Sequence, residues 1–137
     1  MTWLTQAGVA RRAPAAGQAM VEAAITLPLL LLVALGLVQF ALVAHAQSVV
    51  TGAAQDGARL AAAIDRTPAE GESHARAVLR AGLGTSARIA VIGEEDGQVV
   101  VLTARAELSP IIPWTPNATI PIAARAQMSK ERFRTRE

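Results

Sequence analysis

Cysteine is absent from the 137-residue chain, which excludes a disulfide framework, a thiolate metal site and a thiol nucleophile. Tyrosine is absent too, and aromatic residues make up only 3%. The 52% of hydrophobic residues therefore comes mainly from Ala, Leu, Val and Ile gathered in helix-like runs. Charge is scarce at 18% and shows no excess of one sign beyond the formal +2. Arg11 and Arg12 are the charged residues of 1–17, and past them basic and acidic residues balance. No basic stripe exists to recruit nucleic acid, and the basic residues from Lys130 to Arg136 read as a solvated tail. No H-x-x-E-H, G-x-S-x-G or glycine-rich phosphate loop occurs. His45 and His74 stand far apart in sequence, so no catalytic or metal cluster is expected, and no cofactor. Glu94-Glu95-Asp96 reads as a solubilising hairpin tip rather than a cation site.

What is present is one long apolar run. From Ala23 to Ala44 there are 22 residues without Asp, Glu, Lys or Arg. As a helix at about 1.5 Å per residue they span about 33 Å, enough for a hydrocarbon core of about 30 Å. The arginine pair before the run, with none after it until Arg59, predicts an N-terminus in the cytoplasm and a C-terminal domain outside it. Pro28 removes one intrahelical donor and predicts a bend.

Beyond Ala44 the pattern turns amphipathic. Val50, Ala53, Gly57, Leu60 or Ala61, and Ile64 recur at helical spacing, extending the helix to about Ile64 with a small-residue face suited to close packing. Thr67-Pro68-Ala69-Glu70 reads as a capping box that starts a second helix, running to about Gly82 with Ala75, Val78, Leu79 and Gly82 as its apolar face. After Gly84 the period falls to two. Residues 87–92 and 98–108 flank Glu94-Glu95-Asp96-Gly97, a hairpin signal. Val100, Leu102, Ala104, Ala106 and Leu108 share one face. A third strand is expected from Thr119 to Met128 with Ile120, Ile122, Ala124, Ala126 and Met128 inward, and Pro121 marks it as an edge. The expected fold is α+β: a long N-terminal helix that is transmembrane in its first half, a short helix, and a small three-stranded antiparallel sheet. The expected divisions are a cytoplasmic leader 1–17, a helical segment 18–64, and a small α+β domain 65–137.

The most informative stretch is Gly17-Gln18-Ala19-Met20-Val21-Glu22, placed directly before the apolar run. A glycine after a basic stretch, with a carboxylate five residues later at the membrane boundary, has the layout of a prepilin processing site. Glycine presents an unhindered backbone to a peptidase, leaving Gln18 as the new N-terminus. Taken alone, Glu22 would be a plain membrane-flanking acid, since a charge at the bilayer centre costs about 2.5 to 3.5 kcal/mol. With Gly17 at this spacing, it is read as an assembly residue that meets the freed amino group of an adjacent subunit.

These residues, with Leu27-Pro28-Leu29-Leu30-Leu31-Leu32, Gly36-Leu37-Val38-Gln39-Phe40 and Ala53-Ala54-Gln55-Asp56-Gly57-Ala58-Arg59, resemble the TadE-like proteins, pseudopilins or minor pilins of tight-adherence (Flp-type) pilus systems. The resemblance covers about residues 17–64. It implies a pilin-like fold in a single-pass bacterial inner-membrane protein processed by a prepilin peptidase. It also implies partners among other pilin-like subunits and the membrane proteins of pilus assembly or secretion. Gly36, Gln39 and Gly57 become candidates for helix packing. Ala23 follows Glu22 where the family often has an aromatic residue. Gln39 stands where the family often has an acid, and could hydrogen-bond between helices or sit at the outer interface.

A rival reading starts from Ala44-His45-Ala46, an A-x-A pattern after an apolar stretch. Cleavage after Ala46 would release a secreted soluble binding domain. Asn117-Ala118-Thr119 matches a glycosylation sequon, and Trp114 in its proline-rich loop is either a contact anchor or a cap on the core.

Overall fold

Thr67 opens the second helix of the chain through a reciprocal pair of hydrogen bonds. The Glu70 N–H donates to Thr67 Oγ1 at 3.4 Å, and the Thr67 N–H donates to Glu70 Oε2 at 3.0 Å. This is the capping box expected from the sequence, with Pro68 at the first helical position, where a missing N–H costs nothing. In the computed structural model, which describes residues 14–85, 87–111 and 118–130, the elements follow in the order α1 (Pro14–Ala62), α2 (Pro68–Leu83), β1 (Arg88–Asp96), β2 (Val99–Leu108) and β3 (Ile120–Ser129). The α+β class and its element order are those read from the sequence.

The chain divides into two units, Met1–Val38 and Gln39–Glu137. The boundary falls inside α1, so the helix from Gln39 onward belongs with the α+β domain. In the first unit α1 continues through Pro28. Its side chains from Met20 to Leu37 are exposed on all sides apart from half-buried Leu35. A helix apolar all round needs an apolar solvent or a partner.

In the second unit β2 lies at the centre of an antiparallel sheet ordered β1-β2-β3. The register stacks Ile89, Ala106 and Ile122 in one row and Val91, Ala104 and Ala124 in the next. The inward face of β2 is Val100, Leu102, Ala104 and Ala106, all buried, with Leu108 half-buried. β3 is an edge strand carrying Pro121, as expected, and its inward face runs from Ile120 to Met128.

Two boundaries differ from the sequence reading. The turn between β1 and β2 is Gly97-Gln98, not the acidic triplet: Glu94, Glu95 and Asp96 pair with Val101, Val100 and Val99. Gly97 has φ +60° at the first of two turn positions, where a type II′ turn takes glycine. α1 ends at Ala62, and the chain turns at Asp65 with φ +57°. That leaves Ile64 exposed rather than in the apolar stripe.

Small residues set the core. Ala46, Val50, Ala53, Ala54 and Ala58 of α1 pack with Ala75 and Leu79 of α2 and with the inward face of the sheet. Gly82 closes this packing at the far end of α2, because a Cβ there would stand 2.6 Å from Val49 Cγ1. Glu72 and Arg76 bind α2 to the edge of β1. The Gly93 N–H donates to Glu72 Oε1 at 2.8 Å. Arg76 Nη2 donates to Glu72 Oε2 at 2.9 Å and to the Val91 carbonyl at 3.0 Å. Backbone groups that an edge strand would otherwise leave unpaired are thereby satisfied.

Candidate functional site

The candidate residues fall in two places. Gly17, Gln18 and Glu22 lie at the start of α1, and all three are exposed. Helix begins at Pro14, three residues ahead of the Gly17–Gln18 junction, instead of after a non-helical leader. Proline at a helix start explains the boundary, since its fixed φ is already helical and its absent N–H would have no partner there. A Cβ on Gly17 would meet nothing within 4 Å, so among the described residues no packing contact requires a glycine there. Glu22 makes no ion pair among the described residues, and it is the one acid on α1 before Asp56.

From Ala23 to Gln55 the helix carries no Asp, Glu, Lys or Arg. The chain thus contains a helix long and apolar enough to cross a membrane, its best window reaching a mean hydropathy of 2.5 with none of that window buried. Moving one such large side chain out of water is worth about 1.5 to 3 kcal/mol. A dozen of them between Ala23 and Ala44 suit such a helix to a membrane anchor. Gly36 lies on this exposed stretch with nothing within 4 Å of an added Cβ, so its surface is open to a neighbouring helix.

Gln39 and Gly57 have partners inside the α+β domain itself. Gln39 Oε1 accepts the Ile111 N–H at 2.9 Å. Gly57 is buried, and a Cβ there would stand 2.8 Å from the Gly71 carbonyl oxygen and 2.9 Å from Leu102 Cδ1. Its small size serves the contact of α1 with α2 and β2, and its surface is not free for a second subunit. Gly71, Glu72 and Arg76 escaped the sequence reading. The i, i+4 spacing of Glu72 and Arg76 was a legible signal for their ion pair, but nothing local marks their bonds to β1.

The A-x-A stretch Ala44-His45-Ala46 lies within α1, and Ala46 is only 2% exposed, as part of the domain core. His45 and His74 are both exposed. No group of three His, Asp or Glu side chains is placed to hold a metal among the described residues. Of Glu94, Glu95 and Asp96, Glu95 is paired with Lys130 Nζ at 2.5 Å. Arg11, Arg12, Trp114, Asn117 and the basic tail from residue 131 lie outside the described residues.

Glu70 is the one described group whose protonation is clearly displaced. The Thr67 backbone N–H holds its carboxyl below the usual carboxylate range, and Arg66, at 3.2 Å, adds to the effect. This is a property of the cap.

No curated protein and no solved structure matches the chain significantly. A family model does: residues 17–59, about a third of the chain, match the family described as TadE-like protein, the same family that the motifs from Gly17 to Arg59 resemble.

Proposed function

We propose that this chain is a membrane-anchored, pseudopilin-like subunit of a tight-adherence type IV pilus or related secretion apparatus, and that it is a structural component, not an enzyme. The observation that carries the reading is the combination at the start of α1. A TadE-like segment begins at Gly17, a solitary carboxylate follows at Glu22, and a fully exposed apolar helix comes next. A prepilin peptidase cuts between Gly17 and Gln18. The freed amine of one subunit then neutralises Glu22 of another, which fixes the axial stagger of packed helices while their apolar flanks stay in the inner membrane. The N-terminus lies in the cytoplasm and the α+β domain in the periplasm or outside the cell. Other pilin-like subunits and inner-membrane assembly proteins are its partners.

Release of a secreted domain after Ala46 is disfavoured by the packing. Cleavage there would require unwinding α1 and would separate Gln39 from Ile111 and Ala46 from Val50 of the same core. Intact-mass measurement of the membrane-extracted protein tests the proposal. Loss of the first 17 residues, dependent on the peptidase, is the expected result. A soluble product beginning at Gln47 would overturn it.

A further inference from the structure

One contact past the end of β3 fixes where every backbone group of the sheet points. The Lys130 N–H donates to the Gln98 carbonyl at 2.7 Å, one step beyond the pair Val99 and Ser129. In an antiparallel ladder bonded pairs alternate with non-bonded ones. Even-numbered residues of β3 therefore bond to β2, while Ala123, Arg125, Gln127 and Ser129 turn their N–H and C=O groups to the strand's other side. Pro121 fits this count, because the N–H it lacks would also face outward. On β1 the same alternation, carried through the register, turns the odd-numbered residues outward. Two of these are Val91 and Gly93, which Arg76 and Glu72 of α2 engage.

The sheet thus has one clamped edge and one open edge. From Ala123 to Ser129 the outward N–H and C=O groups have no hydrogen-bond partner among the described residues. Such an edge is a template for another strand, and proteins ordinarily blunt it. Pro121 does so at one end only, and the small side chains of Ala123, Ala124 and Ala126 leave the middle of β3 flat. The two faces set what fits there. Ala124, Ala126 and Met128, half-buried, carry the apolar core up to the edge. On the opposite face Arg125 is exposed and lies diagonal to Arg105, since Arg125 pairs with Thr103 and Arg105 with Ala123. Arg88 pairs with Glu107 at 3.9 Å, but neither Arg105 nor Arg125 makes an ion pair among the described residues.

We infer that the outer edge of β3 receives an extended segment of another protein as a fourth strand, with apolar side chains on the core face and a carboxylate opposite Arg125. Main-chain hydrogen bonds to residues 123–129 supply the affinity, and the alternating side chains supply the specificity. A second copy of this chain is the competing occupant. Two-fold antiparallel pairing of β3 with itself, centred on Ala124, Arg125 or Ala126, sets Arg125 opposite or diagonal to its own counterpart. Like charges so placed repel, which favours an acidic partner. The inference concerns the α+β domain alone and does not depend on the membrane reading of α1.

Residue-resolved amide hydrogen exchange of the full chain in detergent tests it. The probe is a capped heptapeptide of alternating valine and threonine with glutamate at its centre, and the control peptide has glutamine there. In the protein alone, the amides of Ala123, Arg125 and Gln127 should exchange faster than those of Ala124, Ala126 and Met128. The glutamate peptide should slow the first set, and should bind about 1.4- to 5-fold more tightly than the control, the range for one opposed charge pair. Arg125→Glu should reverse that preference. Gln127→Pro removes one outward N–H without touching the bonds to β2. It should weaken both peptides while the Ala126 and Met128 amides stay protected.

Slow exchange at Ala123, Arg125 and Gln127 in the protein alone would overturn the inference. If independent of protein concentration, it would assign the edge to another segment of the same chain, and if it deepens with concentration, to a second copy. Exchange at these amides that neither peptide slows would overturn it as well. Equal binding of the two peptides would remove the carboxylate from the recognition, and binding that Gln127→Pro leaves unchanged would move the contact away from this edge.

Discussion

Gly57 of α1 and Gly71 of α2 meet backbone to backbone, each occupying the space in which the other's Cβ would lie. A Cβ on Gly71 would strike the Gly57 carbonyl oxygen and stand 2.7 Å from Ala61 Cβ. Neither obstacle is the flexible end of a long side chain. The crossing can therefore close only if both positions lack a side chain, and it seats α2 near enough for Glu72 to reach β1.

Gly71→Ala is expected to destabilise the domain by about 1 to 3 kcal/mol, the usual cost of overpacking, and Gly57→Ala by a similar amount. Gly52→Ala supplies the contrast. A Cβ there meets nothing within 4 Å, so this variant should gain about 0.5 to 1 kcal/mol from helix propensity. Denaturant unfolding of the detergent-solubilised protein would separate the two signs.

Removing the Glu72 carboxylate should loosen the β1 edge. Glu72→Ala strips the Gly93 N–H and the Arg76 guanidinium of a common partner, at a cost of about 1 to 3 kcal/mol. Hydrogen exchange at the Gly93 amide should quicken, while exchange in the pairing between β2 and β3 should change little. Equal acceleration across both pairings would argue against a local clamp.

The capping box carries a pH signature. Because the folded-state pKa of Glu70 is lowered, its contribution is present above the unfolded carboxylate pKa. That contribution is lost as pH falls through the lowered value. Glu70→Gln should flatten this acid limb of the stability profile and leave the neutral-to-basic side parallel to the parent. An unchanged acid limb in equilibrium unfolding from pH 7 to 3 would contradict the assignment.

Glu22→Ala is expected to leave membrane insertion intact, since the apolar run is untouched, and to impair co-purification with pilin-like partners. Gly17→Val should block removal of the leader without preventing insertion. Membrane fractionation with intact mass reads both, and normal assembly of the Glu22→Ala protein would remove the role given to that carboxylate.

Much of the architecture was legible because it is written in local patterns. Thr67-Pro68-Ala69-Glu70 states a helix start in four residues, and the alternation from Val100 to Leu108 states a half-buried strand. The candidate residues Gly17, Gln18 and Glu22 were chosen from their spacing ahead of the apolar run. Gly57 and Gln39 were singled out for helix packing, yet their neighbours were not foreseen. Gly57 meets a glycine on the next helix, and Gln39 meets an amide from a loop 72 residues further on. Nothing local encodes such a meeting.

Sequence by itself determined the elements, their faces and the apolar anchor, because hydrophobic periodicity, capping and run length act within a few residues. Only tertiary structure decided which glycines are paired and how the edge of β1 is satisfied. Those outcomes depend on chain crossings between distant positions, where packing at contact distance, not local preference, selects the partner.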